Sequence, residues 1–356
     1  MLILVINPGA TSTKIAVFEA ERQIFKATIE HAASELAPFL RIVDQKDYRT
    51  ALIRKTLSDN GFKLSDFSAL SCRGGLLKHI PSGTYRVDEN VLYDVYNNNY
   101  GEHASNLGVI IGKELADEVG VEAFFVDPVS VDEMYDVARV SGLCGMERES
   151  YFHALNQKGA ARKAAKQLQR AYEDLNLIVV HMGGGVSVAA HEGGRVVDVF
   201  NVLDEGSFSM NRGGSLPVQA LINLCFSGKS KQEIKQLVRS EAGVYSYLKT
   251  HDFREVEARA LANDKDAKLV FDALVYQHCK DIGAMAAVLK FKVDAIVFTG
   301  GMAHSKVFID SMSEYVGKLA PIIVIAGETE MESLALGALR ALLGEPIKEY
   351  GDVKQN

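Results

Sequence analysis

Two apolar segments near the start of this chain are joined by Asn7-Pro-Gly-Ala-Thr-Ser-Thr-Lys14. Residues 2–6 and 15–18 are predicted to be strands, and proline and glycine favour a tight turn between them. The loop carries three hydroxyls and one lysine, which together with backbone N–H groups suit phosphate oxygens. The pattern favours a phosphate-binding loop, although not of the Walker type because a strand follows it. A hairpin with a polar tip is the alternative.

The second half of the chain repeats this arrangement. An apolar strand at 177–180 leads into His181-Met-Gly-Gly-Gly-Val-Ser-Val188, and a turn at 192–194 precedes a third strand at 195–200. The first half has the same order, with a charged turn at 19–23 before its third strand. Internal repetition of this kind predicts two related lobes. Each lobe offers a loop of small residues, so we expect a nucleotide in the cleft between them.

Composition limits the class of protein. A length of 356 residues with 47% hydrophobic content is enough for roughly two domains with sizeable cores. The net charge of −7 argues against general affinity for nucleic acid or anionic membranes. The start of the chain lacks the features of a signal peptide, and no apolar run approaches a membrane span, so we expect a cytoplasmic protein. The cysteines lack metal-site spacing and are predicted to be reduced and in or near cores; they are Cys72, Cys144, Cys225 and Cys279.

Helices and strands alternate after each opening hairpin. The predicted helices are 36–57, 102–119, 152–168, 267–289 and 330–343, and the predicted strands are 67–72, 123–126, 293–298 and 322–325. This alternation predicts an α/β fold with mixed sheets.

Two arginines stand among glycines at predicted strand ends and loops, where open α/β sheets bind ligands. Arg73 follows strand 67–72 and precedes two glycines, and Arg212 lies in Asn211-Arg-Gly-Gly214. A guanidinium group is planar and permanently charged, and it matches carboxylate or phosphate oxygens. Both arginines are therefore candidate anion ligands, with a surface ion pair as the alternative for each.

Other polar residues also lie at the ends of predicted strands and helices. His103, His153 and His181 lie at helix starts or a strand end, without the spacing of a metal site. Asp127 and Glu330 are candidate Mg²⁺ carboxylates, since Mg²⁺ takes only one or two protein carboxylates. Asp127 could instead form a simple turn, and Glu330 could be an ordinary first-turn residue favoured by the helix dipole. The segment Thr299-Gly-Gly-Met-Ala303 suits an adenine-ribose unit, with a plain tight turn as the alternative.

These residues together resemble the acetate and butyrate kinase family, which has the duplicated actin, Hsp70 and sugar-kinase fold. The first loop is similar to the family's N-x-G-[ST]-[ST]-S-x-K/R element, although Ala10 stands where serine is usual. His181-Met-Gly-Gly-Gly-Val-Ser187 is similar to its H-[LM]-G-x-G-x-S element. The likeness runs through the whole chain. It implies a homo-oligomer, a dimer or larger, that acts on a small carboxylate with ATP/ADP and Mg²⁺.

The resemblance also implies residue roles. Asn7, Asp127 and Glu330 would hold Mg²⁺. Arg73 and Arg212 would flank the transferred phosphoryl group and the acceptor carboxylate, and His153 would form a hydrogen bond with the phosphoryl oxygens in the transition state. These residues and Asp127 form the predicted catalytic set. The residues predicted to contact the nucleotide are Asn7, Thr11, Ser12, Lys14, His103, His181, Gly183, Gly184, Gly185, Gly300, Gly301 and Met302. The predicted N-terminal lobe, with the acyl and Mg²⁺ sites, is 1–150 plus 330–356, and the nucleotide-binding lobe is 151–329.

One branch of the family fits best. Acetate kinases resemble one another in carrying H-N-P-P and H-L-G-N-G, whereas this chain has His103-Ala-Ser-Asn106 and Gly184. Those features, with Cys72-Arg-Gly-Gly75, resemble the butyrate and branched-chain fatty acid kinases. The resemblance thus implies reversible phosphorylation of butanoate or a branched short-chain acid by ATP. An acetate- or propionate-preferring kinase, a hydroxyl kinase and an actin- or Hsp70-like ATPase switch are the alternatives.

The chemistry of the group that accepts the phosphoryl group distinguishes these alternatives. A carboxylate is already ionised at neutral pH, with a pKa of roughly 4–5, so no general base is needed. Asn7 occupies the first-loop position where hydroxyl-directed and ATPase relatives are similar in having aspartate. A hydroxyl kinase would need a catalytic aspartate, for which Asp127 and Asp204 are the candidates.

Overall fold

The structure is a computed structural model that describes residues 1–353 of the chain. Its strands are β1 (Leu2–Pro8), β2 (Ser12–Glu19), β3 (Arg22–Glu30), β4 (Ala69–Arg73), β5 (Thr84–Arg86), β6 (Glu122–Val126), β7 (Asn176–Met182), β8 (Val186–Glu192), β9 (Arg195–Val199), β10 (Ala295–Gly300), β11 (Ile322–Ala326) and β12 (Lys348–Glu349). Its helices are α1 (Ala33–Leu36), α2 (Lys46–Asp59), α3 (Glu89–Tyr96), α4 (Leu107–Val119), α5 (Asp136–Arg139), α6 (Ala154–Gln167), α7 (Val218–Cys225), α8 (Lys231–Ser240), α9 (Gly243–Leu248), α10 (Phe253–Leu261), α11 (Lys265–Val288), α12 (Lys306–Val316) and α13 (Glu330–Leu342).

The two sheets repeat one strand order. The first sheet runs β12-β5-β6-β4-β1-β2-β3, and the second runs β11-β10-β7-β8-β9. In each, an antiparallel three-strand meander is extended by two strands parallel to its first member. The first sheet then adds β5, which is antiparallel to β6, and β12, which is parallel to β5. The duplicated α/β fold with mixed sheets that the sequence predicts is therefore confirmed.

Apolar runs explain which strands are central. Residues 3–6 of β1 and 177–180 of β7 are fully buried, as expected for strands covered by helices on both faces. Helix α13 packs on β1, β4 and β6, and α4 packs on the same sheet. In the second sheet, α6 packs on β7 and β10, and α11 packs on β8.

The chain divides into two compact units. One comprises Met1–Asp132 together with the segment that begins at Thr329, and the other is Glu133–Glu328. The first boundary falls before residue 150 because the chain after Asp132 is bound to β9. The Glu133 carboxylate accepts a hydrogen bond from Val196 N at 2.9 Å, and Tyr135 N donates to Val197 O at 2.9 Å. Residues 354–356, which the predicted first lobe includes, lie outside the described residues. The assignment of acyl and nucleotide roles to the two lobes stays a prediction.

Two local predictions need correction. The helix predicted at 36–57 is wrong in its first half, where Pro38 removes a backbone donor and restricts the residue before it; the long helix begins only at Lys46. The helix predicted at 102–119 begins at Leu107, after a 3₁₀ turn.

The cysteine prediction also holds only in part. All four cysteines are free, but Cys144 and Cys225 are exposed, whereas Cys72 and Cys279 are buried. Burial raises the pKa of the Cys279 thiol to about 12. Within residues 1–353, no helix combines the length and apolar character needed to cross a membrane.

Candidate active site

Three parallel strands of the first sheet end at one edge, and each delivers a predicted site residue there. Strand β1 ends near Asn7, β4 ends at Arg73, and Asp127 follows β6. Ile6 is paired with Cys72, and Arg73 with Val126, so the three residues lie at nearly the same level. The carboxyl ends of parallel strands are where such sheets bind ligands.

Glu330, the first residue of α13, joins two of these residues. Its carboxylate forms an ion pair with Arg73 and accepts a hydrogen bond from Asn7 Nδ2 at 3.0 Å. The Arg73 and Glu330 side chains are only 13% and 20% exposed, so this is not the surface ion pair considered as an alternative. Arg73 Nε is buried and has no hydrogen-bond partner within residues 1–353, which leaves a donor for a ligand.

Close helix packing fixes the backbone of Arg73. Helix α4 lies so near β4 that a Cβ atom added at Gly108 would be 2.3 Å from the Arg73 carbonyl oxygen. A Cβ at Gly112 would be 1.9 Å from Cys72 Sγ. Only glycine permits this approach, and it holds Arg73 in place from behind.

Asp127 is a fixed carboxylate at the same edge. It is 1% exposed, and its Oδ1 accepts hydrogen bonds from Ser82 Oγ at 2.7 Å and Gly83 N at 2.8 Å. Its φ of 40° is positive, which is uncommon outside glycine and concentrates at functional sites.

Oxygen donors dominate this edge, as Mg²⁺ requires. Asn7 supplies an amide oxygen, and the carboxylates of Asp127 and Glu330 supply further hard oxygens. No group of three or more histidine, cysteine or acidic residues suited to a metal occurs in the described part of the chain. The donor set therefore fits an ion that keeps most of its water.

His103 lies at the N-cap before α4. Its Nδ1 accepts from Ser105 N at 3.2 Å and lies 2.6 Å from Ser105 Oγ, an arrangement that places the proton of the neutral ring on Nε2. Burial, and then the charge of Arg73, lower the pKa of His103. Both effects favour the neutral form of the ring.

Two predicted histidines meet in the second unit. His153 caps α6 and His181 lies in β7, and their rings are stacked with centroids 3.9 Å apart. His181 Nδ1 lies 3.1 Å from Asn156 Oδ1, which also accepts from Thr299 Oγ1 at 3.0 Å. His153 Nδ1 lies 2.9 Å from Ser187 Oγ.

A buried hydrogen-bond chain that the sequence analysis missed fixes the His153 ring. Tyr172 OH is 2.7 Å from His191 Nδ1, and His191 Nε2 is 3.0 Å from Gln157 Oε1. Gln157 Nε2 then donates to Ser187 Oγ at 2.8 Å. Because Ser187 Oγ accepts from Gln157, its own proton can be donated to His153 Nδ1. We assign the bond in that direction, which places the proton of the neutral His153 ring on Nε2.

Arg212 lies against the glycine loop of the second unit. Gly183 N donates to Gly185 O at 3.0 Å, and a Cβ at Gly185 would be 3.0 Å from Arg212 Nη1. Arg212 donates to Val202 O at 3.0 Å and belongs to none of the ion pairs within residues 1–353. Burial, and then the nearby charge of Arg239, lower the pKa of Arg212. An anion bound here would stabilise its charge.

The predicted adenosine segment follows β10 in the same unit. Gly300 has a φ of 89°, and a Cβ there would be 2.3 Å from Met182 O. Gly300 exchanges two hydrogen bonds with Gly327, at 3.1 and 2.9 Å. Met302 is only 3% exposed and belongs to the hydrophobic core of this unit.

Comparisons with known proteins agree with this geometry. The fold is similar to that of acetate kinase from Porphyromonas gingivalis, with a TM-score of 0.80 at 18% identity over 96% of this chain and 99% of that one. It is also similar to a propionate kinase from Francisella tularensis, with a TM-score of 0.75 at 18% identity over 94% of this chain and 98% of that one. These likenesses confirm the predicted fold.

Sequence relatives define the family. Residues 141–320 match the acetokinase family. Over 351 residues the chain is 49% identical to butyrate kinase 2 of Clostridium acetobutylicum, covering 98% of this chain and 99% of that protein. It is 46% identical, with the same coverage, to a probable butyrate kinase of Listeria monocytogenes. The chain belongs to the acetokinase family.

Proposed function

We propose that this chain transfers the γ-phosphoryl group of ATP reversibly to the carboxylate of butyrate or a branched short-chain acid, giving an acyl phosphate and ADP. The observation that carries the proposal lies at the carboxyl ends of the parallel strands, where Glu330 contacts both Arg73 and Asn7. Family membership and the whole-length likeness to butyrate kinases support the same activity.

The chemistry needs positioning rather than proton removal. One carboxylate oxygen of the acid attacks the γ-phosphorus, the bond from phosphorus to the β,γ-bridging oxygen breaks, and that oxygen leaves with ADP. The attacking oxygen is already anionic, so catalysis depends on orienting it and on neutralising the charge that develops. Arg73, Arg212 and the Nε2–H of His153 are the donors we assign to that task.

The chain's own residues would hold the cofactors. Asn7, Asp127 and Glu330 supply the oxygens that suit Mg²⁺, which when bound would neutralise phosphate charge. The loop residues Thr11, Ser12 and Lys14, the glycines 183–185, and the segment 300–302 are proposed to contact the nucleotide, with His103 and His181 beside them. Homo-oligomerisation and a cytoplasmic location stay predictions.

A hydroxyl kinase remains the rival on the same fold. It would need an aspartate free to accept a proton. Asp127 Oδ1 already accepts two hydrogen bonds, which favours a structural or metal-binding carboxylate over a base. Asp204 is the other candidate base. Its pKa is raised by burial and then by the neighbouring charge of Glu205.

Hydroxamate trapping tests the proposal directly, because hydroxylamine reacts with an acyl phosphate and not with a phosphate ester. Straight and branched acids of two to six carbons are assayed with MgATP and compared by kcat/KM. We expect the highest value for butyrate or a branched four- or five-carbon acid. A preference for acetate would overturn the branch assignment. ATP hydrolysis without hydroxamate, indifferent to every acid, would overturn the carboxylate kinase and favour an ATPase switch.

A further inference from the structure

A buried arginine lies directly behind the first phosphate loop. Arg49, on α2, is 1% exposed. Its Nη1 donates to Gly9 O at 2.8 Å, to Ser12 O at 3.2 Å and to Thr13 Oγ1 at 3.0 Å. Its Nη2 donates to Ala10 O at 3.2 Å. The guanidinium group therefore donates hydrogen bonds to four of the five residues between positions 9 and 13.

The opposite side of the guanidinium is fixed by Gln45. Arg49 Nε and Nη2 both donate to Gln45 Oε1, at 3.0 and 2.7 Å. Every nitrogen of the guanidinium thus has a partner, and the fork cannot turn without breaking several bonds. The rigid fork holds the loop at a defined distance from α2.

None of these partners carries a charge. Within residues 1–353, Arg49 takes part in no ion pair, and its acceptors are carbonyl, amide and hydroxyl oxygens. Burial lowers the pKa of Arg49. Burying a cation without a carboxylate costs free energy. We therefore expect the charge of Arg49 to stabilise an anion that binds nearby.

The bonds from Arg49 also set the direction of the loop's N–H groups. The described chain has no cis peptide bonds, and in a trans peptide the C=O and the following N–H point in opposite directions. Since Gly9 O and Ala10 O face Arg49, the N–H groups of Ala10 and Thr11 face away from it. Those are the donors that a phosphate-binding loop presents to its ligand.

We propose that Arg49 is a positioning residue for nucleotide phosphates: it turns the carbonyl oxygens of the first loop inward, so that the N–H groups of Ala10 and Thr11 meet the polyphosphate. It touches neither substrate nor nucleotide. Its charge, buried behind the loop, adds to the loop's attraction for anions. The inference rests on the proposed function, because it takes the nucleotide as the loop's ligand.

Thr13 and His31 extend this support. His31 Nε2 lies 2.8 Å from Thr13 Oγ1, and His31 is 4% exposed. Thr13 Oγ1 accepts from Arg49, and we assign its own proton to the bond with His31 Nε2. A neutral His31 is needed for that bond, and burial, followed by the charge of Arg49, lowers the His31 pKa.

The test compares Arg49→Ala and Arg49→Lys with two variants of the same helix. Arg54→Ala removes an exposed arginine, paired with Glu118, and controls for charge. Ile53→Ala removes a fully buried side chain and controls for lost stability. Binding of a non-hydrolysable MgATP analogue is measured by calorimetry without acid, at a temperature where circular dichroism shows every variant folded.

We expect both Arg49 variants to bind the analogue about ten-fold or more weakly, with Ile53→Ala and Arg54→Ala within about two-fold of wild type. Added guanidinium ion should restore part of the affinity of Arg49→Ala and leave Ile53→Ala unchanged. Should Arg49→Ala not fold, Arg49→Lys carries the test, since an ammonium group cannot reach all the acceptors at once.

Unchanged affinity in the Arg49 variants, or an affinity loss no larger than that of Ile53→Ala, would overturn the inference. The outcome is separable from the proposed function. If the wild type binds the analogue but forms no hydroxamate from any acid, the proposed function fails while the role of Arg49 is still decided by the affinities.

Discussion

Asn7 Nδ2 donates to Glu330 Oε2 at 3.0 Å, although 323 positions separate the two residues. The bond joins the first strand of the chain to its last long helix. The same carboxylate pairs with Arg73, so one acidic residue orients an amide and a cation at one strand edge. If the proposed site is correct, we expect the loss of Glu330 to disturb metal binding and acid binding together.

Glu330→Gln is expected to raise the Mg²⁺ concentration needed for half-maximal rate and to lower kcat by about 10–100-fold, because one hard oxygen is lost and Arg73 loses its counter-charge. The measurement is hydroxamate formation as a function of Mg²⁺ concentration. Glu332→Gln, in the first turn of the same helix, is the control. An unchanged Mg²⁺ requirement in Glu330→Gln would contradict the assigned metal role.

Arg212→Ala is expected to remove most turnover, by a factor of about 10³ or more, while MgADP binds with little loss. The reason is that Arg212 is assigned to charge developing on the transferred group rather than to the bound nucleotide. Calorimetry with MgADP and steady-state rates separate the two. Arg212→Lys should stay impaired, since the ammonium group lacks the planar fork. Arg254→Ala, on an exposed ion pair, is the control, and near-normal activity of Arg212→Ala would refute the role.

Ser187→Ala is expected to lower kcat about 10-fold at neutral pH, because the His153 ring loses the donor that keeps its proton on Nε2. Protonation of the ring at low pH supplies an Nε2–H whatever tautomer the neutral ring prefers. The ratio of wild-type to variant kcat should therefore shrink as pH falls. Ser187→Thr, which keeps the hydroxyl, should recover most activity. A ratio independent of pH would mean that Ser187 supports packing only.

Asp281→Asn is expected to stabilise the protein at neutral pH. Burial raises the pKa of Asp281 to about 6 from 3.8, although its carboxylate accepts from Ser207 N at 2.6 Å. A raised carboxyl pKa means that the folded state binds the proton more tightly, so this contribution to stability is complete below pH 3.8 and is lost as pH rises through 6. The charged form then costs about 1–3 kcal/mol at pH 7.

Urea unfolding at pH 7 and pH 4 measures this effect. The amide keeps the bond from Ser207 N and carries no charge, so the gain should appear at pH 7 and be small at pH 4. Asp272→Asn, an exposed residue of the same helix, is the control. Destabilisation by Asp281→Asn at pH 7 would show that the carboxylate is stabilising.

Strand-end residues were predictable because sequence order alone places them. Asn7, Arg73 and Asp127 each follow an apolar run, and parallel strands bring such ends to one edge. The ion pair between Arg73 and Glu330 was not predictable, since no local pattern relates residues that α13 brings together only by packing. Likewise, nothing local distinguishes Asp127 as a carboxylate held at positive φ.

Buried polar residues on apolar helix faces carried a signal that the sequence analysis did not use. Arg49 lies at helical spacing from the buried Ile53 and Leu57, and Gln157 lies at helical spacing from Ala161 and Ala164. A charged or amide side chain in such a stripe must find partners inside the protein. In both cases those partners support a predicted ligand loop or histidine.

The contact between Gly108 and the Arg73 backbone has a practical consequence for engineering the acid that this enzyme accepts. A methyl group added at Gly108 would displace the Arg73 backbone, and with it the guanidinium group, instead of changing the shape of the space beside that group. Attempts to broaden or narrow the range of acids should therefore leave this helix untouched and vary side chains that border the acyl tail from other directions.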